Sequence, residues 1–355
     1  MESETSPRNV GSQIDRILRR MSTFTCLSFK QNRNYKVENT IGINFFVSTN
    51  NTNTVSLSNN TSYPTTITLK EDTYKNGTLL RFYIGIAFDI IPEVRRYDRN
   101  IDVNVTMNNV KEEFQQFYEI TNPGDIPYLI NTEFDFKSPM FFGPDFGNKT
   151  NEPTYTISLY NMYEYFLSSN KIFRFNDYKH IFYYYCEEER KKQNDCEYGG
   201  YYHKQGAKEC TCPEYLGNKT CKDFNKKGLD INYTIADPLR ACSQESVFEA
   251  NITKAIHYIN ITSEKDKNVS VTIKEIKFEG SDCLTRNSYM EVLVRNDKGA
   301  AGINICNNSS NEITLPSLSN EVFIVTCSLK YNTFLKIGYK ASSEGNDNNI
   351  TQDNS

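Results

Sequence analysis

Hydrophobic positions along the 355-residue chain change their period from one region to the next. Between Ser12 and Met21, the residues Ile14, Ile17, Leu18 and Met21 recur at helical spacing and predict a short amphipathic helix, preceded by a loose polar stretch at 1–12. From Cys26 to about Ile67, short alternating runs such as Ile41–Val47 predict strands around an Asn/Thr/Ser-rich loop at 48–62. Residues 79–91 (LLRFYIGIAFDII) are almost wholly apolar. Period alone leaves a buried helix and a buried strand both open there, and Pro92 stops the run. A polar helix is predicted over 107–118. After Cys186 comes a charged connector (EEERKKQND), then a stretch dense in Gly and Cys, then a second linker over 222–240. Period-two runs at 269–273, 290–294 and 323–326, separated by turn signals, predict an all-β sandwich over 242–341. The tail 342–355 has no core-forming residue beyond one Ile and predicts disorder.

Composition narrows the function classes. Lys and Arg total 40 against 44 Asp and Glu, so the basic excess of a general nucleic-acid binder is absent. No run of about 18 apolar residues occurs, so no membrane-spanning helix is expected. Nine of the ten cysteines fall between 186 and 327, which reads as a disulfide framework made in an oxidising compartment. The rival reading, a zinc knuckle, needs two to four residues between paired thiols, and Cys210-Thr211-Cys212 has one. Asn-x-Ser/Thr sequons agree with secretion, and Asn76, Asn104, Asn148, Asn218, Asn232, Asn251, Asn260 and Asn268 are the glycosylation candidates. The opening residues lack the apolar core of a signal peptide, so the expectation is a secreted protein whose leader is absent from this chain.

Four segments in order over residues 1–186 resemble the astacin metalloproteinase domain, and the resemblance implies a domain truncated at its N-terminus, lacking the first strand. They are Met21–Phe29 (MSTFTCLSF), Arg96–Val105 (RYDRNIDVNV), Phe134–Phe142 (FDFKSPMFF) and Asp177–Cys186 (DYKHIFYYYC). The third resembles the family's Met-turn, with Met140 as its methionine. Residues 187–222 are similar to an EGF-like module reduced to four cysteines, 223–241 read as a linker, and 242–341 resemble a CUB domain. The implied fold class is α+β: a zincin-like astacin domain, a small disulfide-rich EGF-like module and an all-β CUB sandwich. That order is known in secreted nematode proteases. The resemblance implies the pairs Cys26–Cys186, Cys196–Cys210, Cys212–Cys221, Cys242–Cys283 and Cys306–Cys327.

Catalysis in this family uses His-Glu-x-x-His-x-x-Gly-x-x-His, in which three imidazoles hold zinc and the Glu deprotonates its water. Counting back from Arg96, the resemblance assigns Phe82, Ile86 and Pro92 to the three histidines, Tyr83 to the general base and Asp89 to the turn glycine. Phe142 falls at the Met-turn tyrosine, an additional ligand in resting members, and only Glu93, which follows the third histidine, is retained. The expectation is therefore no catalytic residue, no metal site and no cofactor, where active members would hold zinc. Phe82, Ile84 and Ile86 would instead fill the vacated pocket with hydrocarbon. His180, His203 and His257 are the only imidazoles, and they read as surface or capping residues. No Gly-x-Ser-x-Gly elbow, P-loop or Gly-x-Gly-x-x-Gly offers another chemistry. Arg286–Ser288 lacks the acidic residues of the calcium site found in many CUB domains. Three function classes follow. One is an inactive homologue that binds extracellular proteins or glycans. The second is an active zinc metalloendopeptidase whose motif is lost from a faulty or incomplete gene sequence. The third is a purely structural role, as a glycosylated surface or cuticle component without a specific partner.

Overall fold

The computed structural model describes residues 7–32, 34–129, 131–191, 195–225, 232–280 and 288–343. The chain divides into two compact units, one of Met1–Pro213 with Lys219–Cys221, the other of Glu214–Asn218 with Lys222–Ser355.

In the first unit, α1 (Pro7–Phe24) buries Ile17 and Met21, the stripe the sequence period gives, and it begins earlier than that period indicates. Strands β1 (Ile43–Val47), β2 (Thr54–Ser56) and β3 (Thr65–Leu69) form a sheet in the order β1-β3-β2, with β1 parallel and β2 antiparallel to β3. A short α2 (Glu71–Lys75) leads into α3 (Gly77–Ala87), so the apolar run at 79–91 resolves as helix. Asn76 caps α3: its Oδ1 accepts from the backbone N–H of Thr78 at 3.0 Å and of Leu79 at 3.1 Å, satisfying two otherwise unpaired donors. The helix ends at Ala87, before Pro92, and two residues on Asp89 takes a φ of 57°, in the left-handed region. The polar run 107–118 is not one α-helix but two 3-10 segments, Met107–Asn109 and Glu112–Phe117. Strands β4 (Val103–Val105) and β5 (Tyr155–Ile157) pair, and α4 (Phe175–Tyr185) is followed by a single turn, α5 (Glu187–Arg190).

Three disulfides join Cys26–Cys186, Cys196–Cys210 and Cys212–Cys221. The first closes the ends of the α1–α4 region across 160 residues. Phe24 packs on Tyr178 there, with ring centroids 4.8 Å apart, and the Tyr201 hydroxyl donates to the Phe24 carbonyl.

The second unit is dominated by β10 (Ser246–Thr262) and β15 (Glu321–Ser343), antiparallel along almost their whole length. A bulge at Lys254, φ 47°, divides the pair into two halves. One half of β15 also pairs with β12 (Ser288–Leu293), which carries β13 (Ile303–Ile305); the other pairs with β11 (Lys267–Phe278), which carries β14 (Ile313–Thr314). The expected sandwich is thus one continuous ladder whose halves share two long strands. Residues 223–241, read as a linker, contribute strands instead. Of these, β8 (Asn232–Ile235) and β9 (Leu239–Arg240) pair with β10, while β7 (Asp223–Phe224) pairs with β6 (Leu216–Gly217).

Two expected bridges differ. Cys242 and Cys327 are free thiols, and Cys306 is disulfide-bonded but not to Cys327. The register gives the reason. Cys306 follows β13, and β12 lies between β13 and the β15 strand that holds Cys327 opposite Tyr289. Two strand spacings are about 10 Å, beyond the roughly 7 Å Cα separation a disulfide spans. Cys283, the expected partner of Cys242, lies outside the described residues, as does the tail from 344.

Candidate functional site

Helix α3 places Phe82 and Ile86 on one face, since four residues advance the helix by about 40° beyond a full turn. Phe82 is wholly buried. Its ring meets Phe142 at 5.5 Å, Phe146 at 5.3 Å, Phe117 at 5.7 Å and Tyr83 at 5.2 Å, all edge-on. Phe142 in turn stacks on Phe146 at 4.4 Å and meets Tyr118 at 5.0 Å. The positions assigned to the first histidine and the Met-turn tyrosine are therefore together, in ring-to-ring contact. Ile86 is half-buried and Pro92 buried. Ile84 is fully buried, yet two residues from Phe82 on a helix it faces the opposite way and does not fill this pocket.

The Met-turn packs directly beneath α3. A Cβ on Gly85 would lie 2.2 Å from the Met140 sulfur, so only glycine lets Met140, itself fully buried, approach the helix this closely. The Ser138 hydroxyl donates to Asp177 at 2.5 Å and accepts from the Met140 N–H at 2.9 Å, which fixes the turn.

A buried charged cluster, which sequence reasoning did not single out, surrounds this turn. Glu93 accepts from the Asp135 N–H and lies 3.8 Å from the Arg96 guanidinium. Burial pushes its carboxyl well above the usual carboxylate range, with Arg96 opposing. Lys171 donates to the Phe141 carbonyl and lies over the Phe141 ring at 4.3 Å. Burial lowers its ammonium to about 7, with Asp135, Glu93 and Asp177 opposing. Burial, and then Asp135, raises Asp177 to about 7. Of these residues the sequence marked Glu93 alone, as the one retained after the third histidine position; Asp135, Lys171 and Asp177 lie in mixed polar and apolar segments that do not announce burial.

The histidines do not converge. His180 is buried in α4 and bonded to Thr132 Oγ1 at 2.8 Å; burial, then Arg96 and Lys179, hold it well below its ordinary value. His257 is buried in β10, with Nδ1 on Thr234 at 2.6 Å, and burial lowers it as well. His203 bonds Thr211 at 2.8 Å. Two of the three are thus core residues, not surface ones. Asp89 is exposed and accepts from the Tyr184 hydroxyl at 2.7 Å, whereas Glu93 is buried with Arg96, so the two carboxylates have separate partners.

A zinc ion needs nitrogen, sulfur or oxygen donors. Phe82, Ile86, Pro92 and Phe142 offer no lone pair, so this pocket does not fit the metal. Among the described residues, the groups of His, Cys, Asp and Glu close enough to share an ion are Cys26/Cys186/Glu189 and Asp195/Cys196/Cys210. Each contains a disulfide pair, whose sulfurs are not thiolates.

Residues 2–186 match the peptidase family Astacin, and the chain belongs to that family. It is similar to zinc metalloproteinase nas-34 of Caenorhabditis elegans, 23% identical over 224 residues, covering 63% of this chain and 36% of that protein. It is also similar to zinc metalloproteinase nas-36 of Caenorhabditis briggsae, 27% identical over 161 residues, covering 44% of this chain and 25% of that protein. The chain thus spans about a third or less of the length of these relatives. Among solved structures, it aligns with high choriolytic enzyme 1, a hatching enzyme zinc-protease of the medaka Oryzias latipes. That alignment has a TM-score of 0.38 and 16% identity, over 51% of this chain and 84% of that one. It also aligns with the CUB1-EGF-CUB2 domain of human MASP-1/3, with a TM-score of 0.24 and 17% identity, over 29% of this chain and 41% of that one.

Proposed function

We propose that this chain is an extracellular binding protein built on the astacin fold, one that holds no zinc and does not hydrolyse peptide bonds. The contact between Phe82 and Phe142 carries the reading, since both stand where the family's chemistry needs metal donors and they pack against each other. Tyr83, at the general-base position, has a buried phenol that burial pushes above its ordinary value, so it is not a base near neutrality. The cysteine-stapled segment after Cys186 acts as an EGF-like module and the β-ladder as a CUB domain, offering surfaces to extracellular proteins or glycans. Disulfides support an oxidising compartment.

The test is metal analysis of purified full-length protein by plasma mass spectrometry, with casein turnover in the presence of added zinc. The expected outcome is zinc far below one ion per chain and turnover at the level of the blank. Stoichiometric zinc together with cleavage overturns the proposal.

A further inference from the structure

Strand β10 is flanked unequally on its two sides. On one side β15 accompanies it from Ser246 to Thr262. On the other side β8 pairs only with Ala255–Tyr258 and β9 only with Ile261–Thr262. Over Ser246–Thr253 no further strand pairs with β10 among the described residues. Such a row of unpaired N–H and C=O groups is a template for a second chain. Its side chains invite pairing too. Val247 is 50% exposed, and Glu249, the one acidic residue of the segment, is held by Lys336 at 2.5 Å, so it adds little free charge to repel a partner. The bulge at Lys254 ends the open segment but does not cover it.

The same segment carries the sequon Asn251-Ile252-Thr253. Along β10 the side chains of Val247, Glu249, Asn251 and Thr253 are exposed, while Ile252 is buried, so the Asn251 amide points away from the core. Two other sequons of this unit differ. The Asn260 Nδ2 donates to Glu321 Oε1 at 3.0 Å, and the Asn268 Nδ2 donates to the Ser317 carbonyl at 3.1 Å. A sugar on either amide would take one of its two N–H donors and would have to enter a half-buried space beside the group that the amide already bonds.

We infer that Asn251 is N-glycosylated and that its glycan guards the open edge of β10 against pairing with a second copy of this chain. The inference rests on the extracellular reading, because the co-reactant is the lipid-pyrophosphate-linked oligosaccharide of the secretory pathway. The Asn251 Nδ2 bonds to the anomeric carbon of that donor, losing one proton, and the anomeric C–O bond breaks so that the lipid pyrophosphate leaves. The attached sugar is bulky and hydrated, and it stands beside the edge where an incoming strand would lie.

The test uses the full chain secreted from eukaryotic cells. Peptide N-glycosidase in heavy-oxygen water marks each formerly glycosylated Asn for peptide mass spectrometry. Asn251 and the exposed Asn104 are expected to be marked, and Asn260 and Asn268 unmarked. Light scattering after size exclusion then compares the wild type with Thr253→Ala, which removes the sequon and keeps Asn251. The wild type is expected to run at the mass of one chain and the variant to approach twice that mass as concentration rises. Enzymatic deglycosylation of the folded wild type supplies the same comparison if the variant does not fold. A marked Asn104 with an unmarked Asn251 overturns the inference and leaves the extracellular reading standing, whereas no marked sequon overturns both. A marked Asn251 whose removal leaves the mass at one chain overturns the guarding role.

Discussion

Replacing Phe82 with alanine tests whether the aromatic pocket around it is part of the core. Phe82 is wholly buried and touches four aromatic rings at 5.2 to 5.7 Å. Removing a buried phenylalanine costs about 3–5 kcal/mol, and the spread reflects how far the surroundings collapse. Tyr83 and Phe142 are buried and held, while Phe117 and Phe146 are half-buried and free to move inward. The expected loss is therefore about 3 kcal/mol, the lower end of the range. For a unit of this size it corresponds to a melting shift of roughly 6–12 °C. Differential scanning calorimetry with disulfides intact measures it, with Phe82→Leu as the volume-conserving control expected to cost about 1 kcal/mol. EDTA and added zinc should leave the wild-type transition where it is. A shift below about 2 °C for Phe82→Ala, or a wild-type transition lowered by EDTA, refutes the packed-pocket account.

Other expectations follow from the neighbours of this pocket. His180 stays neutral when folded because burial, Arg96 and Lys179 hold it well below its ordinary value, whereas the unfolded chain takes up a proton below about pH 6.5. The unfolded state then binds more protons, so this residue's contribution is complete above about pH 6.5 and is lost on acidification, by up to about 1.4 kcal/mol per pH unit. Denaturant titrations should show the gap between wild type and His180→Asn narrowing below that pH; a constant gap refutes it. At Asp89 the left-handed backbone favours glycine, so Asp89→Gly should be more stable than Asp89→Ala by about 1 kcal/mol, with both losing the Tyr184 bond. A thiol reagent should find Cys242 in the native protein and Cys327 only after denaturation, since Cys327 is buried and burial raises its thiol to about 11. Two fast-reacting native thiols would contradict that assignment.

The sequence exposed local periodicity well and tertiary arrangement less well. The stripe Ile14, Ile17, Leu18, Met21 places α1, because a helical face repeats within a few residues. The run at 79–91 remained open between helix and strand because it is almost wholly apolar and shows no clear period, and Asn76 decides the matter by capping a helix. The stretch 107–118 has helical composition but folds as 3-10 turns. There the rings of Phe114 and Phe117 are drawn onto Phe146, 5.2 and 5.5 Å away, so tertiary packing overrides local propensity. The Cys306–Cys327 pairing failed for a similar reason: order along the chain does not reveal that β12 lies between the two. Phe82 and Phe142, which the resemblance assigns to metal-binding positions, do meet ring to ring. The buried cluster of Glu93, Lys171 and Asp177 was not legible, because its members come from distant segments and only the fold gathers them.

The ring contact between Phe82 and Phe142 also bears on which single exchanges this pocket tolerates. A lone Phe82→His or Phe142→Tyr would bury a polar group among hydrocarbons with no ion to offset its desolvation. The side chains of Ile86 and Pro92 supply no further donor, so a single exchange gives the new polar group no ion to hold. The interlocked rings therefore resist one-at-a-time replacement by polar side chains, because each such change gives up hydration without gaining a partner.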